Sequence, residues 1–432
     1  MTAIAPPQPD TSAKHRMPLR ALFAAGLGNA IEWFDWTVYA TFSIYFATQI
    51  FPPGNQALAL MSTFATYALA FFFRPLGGII IGRISDMRGR KVGLVVTVSM
   101  MAGGSLVFAI LPTYGQVGWL APVLLLLARI VQGISMGGET SSAASYLAEI
   151  APPDRRGRYS SVYYMSTGVA VLLASLLGVA ATNLLTDGQL DAWGWRVPFV
   201  IGGLLGLLAL WLRRNLDETE MSKKAQADAA EMRNPLRTTL RTHPRSVVHL
   251  IGFIMMPCLA YYTFYSAITP YAVKSEGADA SDVFTALAIG SVFFIALQYP
   301  AGAMSDRFGR KPQLLFYCAF MAVFTVPASF LIGPGLGNML ILFVIGLSVF
   351  AINTSIVPCT MAEMFPTKLR GVGIGTWYNV TVALFGGTAP LLMTSLMSAG
   401  IGRYFFVYLA VCAVISGVIV STMPETKGKV LD

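Results

Sequence analysis

The sequence predicts an all-α membrane protein: twelve transmembrane helices in two six-helix bundles related by pseudo-two-fold symmetry. Three observations carry that expectation. Of the 432 residues, 55% are apolar and 12% charged, with a mean hydropathy of +0.63, whereas soluble domains carry about 25% charge. A polar signature, Gly-x-x-Ser-Asp-x-x-Gly-Arg-Lys, occurs twice, starting at Gly82 and at Gly302, 220 residues apart. Each copy lies between two long apolar stretches, so a charged loop recurs at half-length, which is the mark of a duplication. Finally, the basic residues segregate to one side of the alternating loops.

Residues 1–20 form a polar tail, Pro-rich at its start. No cleavable signal peptide is expected, because the first apolar run is too long and lacks a small-residue cleavage site. Six apolar runs follow, at 21–47, 57–81, 92–112, 119–148, 160–184 and 196–212, and together they define a first bundle over 21–214. About 20 apolar residues suffice to cross the hydrocarbon core as helix. Residues 215–246 belong to the longest polar stretch and read as a linker. The second bundle, 247–423, holds runs at 247–271, 283–304, 312–332, 338–360, 372–397 and 403–423, before a tail over 424–432. A transmembrane barrel would instead show segments of about 10 residues with alternating polarity, whereas these runs are continuous.

Further correspondences support the duplication. Ala148-Glu149 with Arg155-Arg156-Gly157 matches Ala362-Glu363 with Leu369-Arg370-Gly371 at a constant offset of 214. Asp217-Glu218-Thr219 after the sixth run matches Pro424-Glu425-Thr426 after the twelfth.

Orientation follows from Lys and Arg in the loops. The termini and even-numbered loops hold 25 of the 30 basic residues, and the other side holds Arg196, Lys274 and Arg403. Both termini are therefore expected in the cytoplasm, in a bacterial inner or plasma membrane. The net charge of +9 is this asymmetry and gives no reason to expect nucleic acid. Cys258, Cys318, Cys359 and Cys412 lie far apart in apolar runs and read as small core residues. No metal-ligand spacing occurs, and no cofactor is expected.

The duplicated loop resembles the signature between helices two and three, and eight and nine, of the major facilitator superfamily. Arg129-x-x-Gln132-Gly133 resembles that superfamily's second motif. A finer resemblance rests on Gly28-Asn29-x-x-Glu32-Trp33-Phe34-Asp35, Arg74-Pro75-Leu76-Gly77-Gly78, Gly137-Gly138-Glu139 and Trp193-Gly194-Trp195-Arg196-Val197-Pro198-Phe199. These segments are similar to the metabolite:proton symporter family, which imports organic acids or zwitterions with protons. Trp211 to Thr219, Tyr262-Thr263-Phe264 and Ala362 to Pro366 look most like its 2-oxoglutarate branch. The chain lacks the long C-terminal coiled coil of osmosensing proline/betaine members and the Gln-Gln pair of sugar porters in helix seven. It also lacks the Gly-Pro-x-x-Gly-Gly element of drug antiporters in helix five.

A charge inside a membrane helix costs about 2.5–3.5 kcal/mol on insertion scales, and survives by pairing or by facing water. The sequence places five there: Glu32, Asp35, Arg74, Arg129 and Glu139. Glu32 and Asp35, three apart, share a face with Gly28 and Tyr39. Two close carboxylates in a desolvated site resist joint ionisation, so one of them, with Asp35 favoured, is expected to bind the coupled proton; the bland alternative is a salt bridge that only holds helices together. Arg74 lies about 12 Å inside the membrane at 1.5 Å per residue. Its planar fork suits a carboxylate, so it anchors an anionic substrate or pairs internally with Glu32 or Asp35. Arg129, Gln132, Met136 and Glu139 form a stripe; Arg129 is expected to relay coupling or touch substrate, and Glu139 to serve a gate. The second half has no basic residue in mid-membrane, so its substrate contacts are expected from Tyr262, Tyr265, Thr269, Asn353, Ser355, Trp377 and Asn379, although aromatic residues in helices more often only pack.

The repeated loops read as a cytoplasmic latch. Gly82 and its counterpart allow close helix approach. Asp86 is placed to cap a neighbouring helix N-terminus, where a carboxylate is favoured by about 0.3–1 kcal/mol. Arg90 and Lys91 are placed to pair with acids such as Glu149, and Asp306, Arg310, Lys311 and Glu363 form the second copy. The plainer alternative is that these charges only set topology. The expected function is import of a small organic carboxylate, with a 2-oxoglutarate-like dicarboxylate favoured, together with protons by alternating access, as a monomer in the lipid bilayer. A zwitterion or shikimate importer and a non-transporting sensor are the alternatives. No nucleophile–base pair, nucleotide loop or metal cluster supports an enzyme.

Overall fold

The protein was analysed as a computed structural model that describes residues 19–88, 90–137, 147–148, 151–214 and 240–429. Among the described residues the apolar runs fall largely in helix, and no strand occurs. Nine helical segments there are long and apolar enough to cross a membrane, and Val95–Ala109 and Leu120–Met136 are shorter apolar helices. Large apolar side chains such as Ile79, Leu127, Leu204, Val323 and Val418 lie on the outside, while Asp35, Arg74, Arg129, Arg310 and Glu363 are buried. That is the arrangement a lipid solvent favours, with ionisable groups turned inward.

The membrane helices break where proline dictates. Helix α1 is Leu19–Ile50, α2 is Gln56–Phe72 and α3 is Arg74–Arg88. The α2–α3 break falls at Phe73, two residues before Pro75. Proline lacks an N–H, and its ring crowds the carbonyl four residues back, here that of Phe71. In the second half, Pro244–Tyr262 passes through a π-turn at Thr263–Ala267 into Ile268–Lys274. Thr367–Thr381 passes through another at Val382–Gly387 into Ala389–Ser398. Each π-turn contains the residue four before a proline (Ser266 for Pro270, Gly386 for Pro390), so the widened turn accommodates the ring. Such turns are rare and are frequent at functional sites.

The halves meet along Arg156–Leu184 and Ala280–Phe308. The contact is backbone on backbone at one end. A Cβ on Gly157 would stand 2.4 Å from the Gly302 carbonyl oxygen, and one on Gly302 would stand 2.5 Å from that of Gly157. Gly302 opens the second copy of the repeated loop, so the sequence signature marks a backbone-to-backbone approach of the two halves.

Candidate functional site: a buried charge network and an aromatic cavity

The first half gathers its charges into one network. Arg129 Nη1 lies 3.2 Å from Asp35 Oδ2 and donates to Gln132 Oε1 at 2.8 Å. Gln132 Nε2 donates to Asp35 Oδ2 at 3.0 Å, and Ser105 Oγ donates to Asp35 Oδ1. Asp35 thus accepts from three side chains on two other helices. The Arg129 guanidinium also lies over rings, 3.6 Å from the Tyr39 centroid, 4.6 Å from Phe108 and 4.9 Å from Trp36. Ring faces stabilise a desolvated cation. The Arg129 Nε and Nη2 atoms are buried without a hydrogen-bond partner.

Arg74 differs. It begins α3 at the break, is 2% exposed, and has no ion pair among the described residues. Its guanidinium carbon stacks 3.8 Å from the Phe71 centroid and 4.9 Å from Trp36. Nε and Nη2 lack a hydrogen-bond partner. Its charge acts on Cys258, Tyr262 and Tyr378 of the second half.

The second half contributes aromatic surface. A central cavity of about 20 Å³ is lined by Trp33, Tyr164, Ile254, Pro257, Cys258, Tyr261, Tyr262, Phe350, Thr354, Val357, Tyr378 and Val382. That volume suits about one water. The hydroxyls of Tyr261, Tyr262 and Tyr265 are buried without partners. Trp33 is oriented by Asn29 Oδ1, which accepts from its Nε1 at 2.8 Å, and its ring lies 4.5 Å from that of Tyr261.

Contacts between the halves occur towards both ends of the helices. At the end carrying the basic loops, Asp306 accepts from the Gly157 and Arg158 amides at 2.7 and 3.1 Å, which are first-turn donors that a helix leaves unpaired. Arg310 Nη1 binds Asp306 at 2.9 Å and Nη2 lies 3.4 Å from Glu363, which also lies 3.7 Å from Arg156 of the first half. The tail joins this cluster. Thr426 donates to Glu363 at 2.7 Å, and Arg156 donates to the Lys429 carbonyl at 2.6 Å. Glu425 accepts from the Arg310 and Lys311 amides at 2.9 and 3.0 Å. Burial alone would raise the Glu425 carboxyl, but the amides of Arg310, Lys427, Lys311 and Thr426 hold it below the usual carboxylate range. Nearer the cavity, Asn379 donates to the Gly137 carbonyl at 2.9 Å and the Cys359 amide donates to Ser160 at 3.1 Å. At the opposite end, Asn183 donates to Ser281 at 3.0 Å and Ser398 to the Met61 sulfur at 3.3 Å.

The structure therefore brings Asp35, Arg129, Gln132 and Tyr39 together, and likewise Asp306, Arg310 and Glu363. Lys311 takes part through its backbone amide. Glu32 is buried, and its charge bears on Tyr378 of the other half. Of the expected substrate contacts, Tyr262 alone lines the cavity. Tyr265 packs against Tyr261, Phe294 and Phe350. Asn353 is buried, Trp377 is half-buried, and Asn379 ties the halves together. Arg74 and Arg129 do not line this cavity. Gly82, Asp86, Arg90, Lys91, Glu139 and Glu149 lie outside the residues whose side chains are described. Sequence reasoning missed Ser105, Tyr164, Tyr261 and Tyr378, because a hydroxyl in an apolar helix carries no positional signal.

Known proteins agree with this architecture. A profile of the Major Facilitator Superfamily matches residues 25–390. The chain is 38% identical over 426 residues to the alpha-ketoglutarate permease of Escherichia coli (strain K12), covering 97% of this chain and 96% of that one. It is 32% identical over 419 residues to a putative proline/betaine transporter of Staphylococcus haemolyticus (strain JCSC1435), covering 95% and 89%. The solved proton:xylose symporter XylE, bound to 6-bromo-6-deoxy-D-glucose, shares the fold at a TM-score of 0.75 and 20% identity, over 96% of this chain and 97% of that one. A second XylE structure, the partially occluded inward-open form from E. coli, matches at a TM-score of 0.72 and 20% identity, over 95% and 98%. This chain belongs to the Major Facilitator Superfamily, as a multi-pass membrane transporter and not an enzyme.

Proposed function

We propose that this transporter imports a small organic carboxylate together with protons, with a 2-oxoglutarate-like dicarboxylate as the favoured cargo. The observation that carries this reading is Arg74, a buried guanidinium whose Nε and Nη2 have no partner. Burying such donors unmatched is costly, and an anion that accepts from both matches them. A carboxylate has the right planar geometry. Arg129 presents a second unpartnered Nε–Nη2 edge, and both guanidinium carbons lie 4.9 Å from the Trp36 centroid. Two forks around one indole suit a cargo with two carboxylates.

Asp35 is the proposed proton carrier. Protonation removes the charge that holds Arg129 Nη1, so proton and anion binding are linked through one guanidinium. Glu32 extends that linkage towards Tyr378 and the second half. The proposed division is a first bundle over 21–214 and a second over 247–423, with both termini cytoplasmic in a bacterial inner membrane. The Asp306–Arg310–Glu363 cluster then serves as the inner latch, with Gly82, Asp86, Arg90, Lys91 and Glu149 as its first copy. The test is counterflow of 2-oxoglutarate, citrate, shikimate and betaine in proteoliposomes under an imposed pH gradient. Proton-stimulated 2-oxoglutarate exchange, lost in Arg74→Gln, supports the reading.

A second reading has its own observation. Six of the cavity-lining residues are aromatic: Trp33, Tyr164, Tyr261, Tyr262, Phe350 and Tyr378. Ring faces attract quaternary ammonium groups, and the Staphylococcus relatives carry proline/betaine names. Saturable betaine uptake without carboxylate uptake would replace the first reading with this one.

A further inference from the structure

We infer that Phe71 is a positioning residue for the anion site: it carries Arg74 on its ring and is itself held by the π-turn at Gly387 in the other half. This rests on the reading of Arg74 as the carboxylate anchor.

Phe71 stands two residues before the α2–α3 break and has no exposed surface. One part of its environment belongs to the first half. The Arg74 guanidinium lies 3.8 Å from its centroid, and Trp36 meets the ring at 4.6 Å. The other part belongs to the second half. Tyr262 meets the ring edge-on at 5.1 Å and 89°. A Cβ placed on Gly387 would stand 2.7 Å from Phe71 Cγ and 2.8 Å from its Cβ. Those atoms are the root of the side chain, so no rotation of the ring relieves the clash. Glycine at 387 is thus what lets the two halves close around Phe71.

The consequence concerns the arginine. Its aliphatic stem leaves the chain at the break, and its flat head rests on a ring that both halves grip. Closing the second half onto Phe71 fixes the platform, and separating the halves releases it from Tyr262 and Gly387. The orientation of the Arg74 fork is therefore tied to the relative position of the bundles. An anion held by the fork feels whether the carrier is closed without touching the second half itself.

Phe71→Leu keeps bulk and apolarity but removes the ring face, and Phe71→Trp keeps the face. Binding of 2-oxoglutarate to purified full-length protein, read by calorimetry, is measured alongside Arg74→Gln and thermal stability. The loss of a desolvated cation–π contact predicts a Kd about 3- to 30-fold higher for Phe71→Leu, recovered to within about threefold in Phe71→Trp on the same scale. Gly387→Ala drives a Cβ into the root of Phe71 and is expected to raise the Kd about threefold or more. If Arg74→Gln abolishes binding while Phe71→Leu binds as wild type, or if Phe71→Trp fails to recover it, this inference is wrong and the anchor reading stands. If Arg74→Gln binds as wild type, both fall together. Should Phe71→Leu fail to fold, Phe71→Met takes its place as the variant without a ring face, and wild-type binding in Phe71→Met overturns the proposal.

Discussion

The two halves of this transporter share a plan but differ in what they bury. In the first, Asp35, Arg74 and Arg129 are almost fully enclosed in the middle of the helices. In the second, the corresponding depth holds tyrosines with unpartnered hydroxyls and two π-turns. Buried charge is rigidly specified because each donor must find an acceptor. Aromatic surface and widened turns are permissive of movement. On the proposed reading of two duplicated bundles, divergence placed the Asp35, Arg74 and Arg129 charges in one and the aromatic surface in the other. The basic-end contacts span that divide, since Asp306 of the second half caps a helix of the first.

This contrast is breakable at several points. The largest effect is expected for Arg129→Gln, which strands the Asp35 carboxylate. Breaking a buried pair from one side costs about 3–5 kcal/mol. Denaturation of the solubilised protein should register that loss, and Asp35→Asn/Arg129→Gln should recover most of it. Substitution of a tyrosine in the second half, such as Tyr265→Phe, should be nearly neutral in the same assay, because its hydroxyl has no partner to lose. Asp306→Asn comes next. It weakens charge-assisted bonds to the Gly157 and Arg158 amides, and bonds of that kind contribute about 1.5–3 kcal/mol. Turnover in proteoliposomes should fall about tenfold or more while Kd stays within about twofold. A fall in affinity at unchanged turnover would remove the latch reading.

The smallest effect concerns the tail. The Glu425 carboxyl is held below its ordinary 4.5, so its bonds to the Arg310 and Lys311 amides contribute fully above that value. They are lost only as pH falls through the lower folded value. Protection of those two amides from hydrogen exchange, relative to Glu425→Gln, should persist at neutral pH and vanish only in acid. Protection that disappears near neutral pH would assign the tail another anchor.

Much of this was legible in the sequence, for physical reasons. Lipid imposes continuous apolar runs, so the helices announced themselves. A buried charge is rare enough in a membrane helix that Asp35, Arg74 and Arg129 stood out singly. The partnerships were not legible. Glu32 and Asp35 sit three residues apart, but nothing in that spacing says that Asp35 turns to Ser105 and Gln132. Which helix stands opposite decides this, and one helix's spacing does not record it. The π-turns were hidden for the same reason, since proline marks a break without specifying its form. Pro424-Glu425-Thr426 was visible as an echo of the first half, but its seat on the amides after Gly309 depends on a tertiary fit. Gly309 has φ of +105° and a Cβ there would strike Glu425.

The central claim is that the first half alone carries the proton coupling, through Asp35. It is tested most directly by Asp35→Asn in proteoliposomes, with 2-oxoglutarate accumulation under an inward proton gradient measured beside gradient-free counterflow. The account predicts that accumulation disappears while counterflow persists. Accumulation at the wild-type level in Asp35→Asn would contradict it.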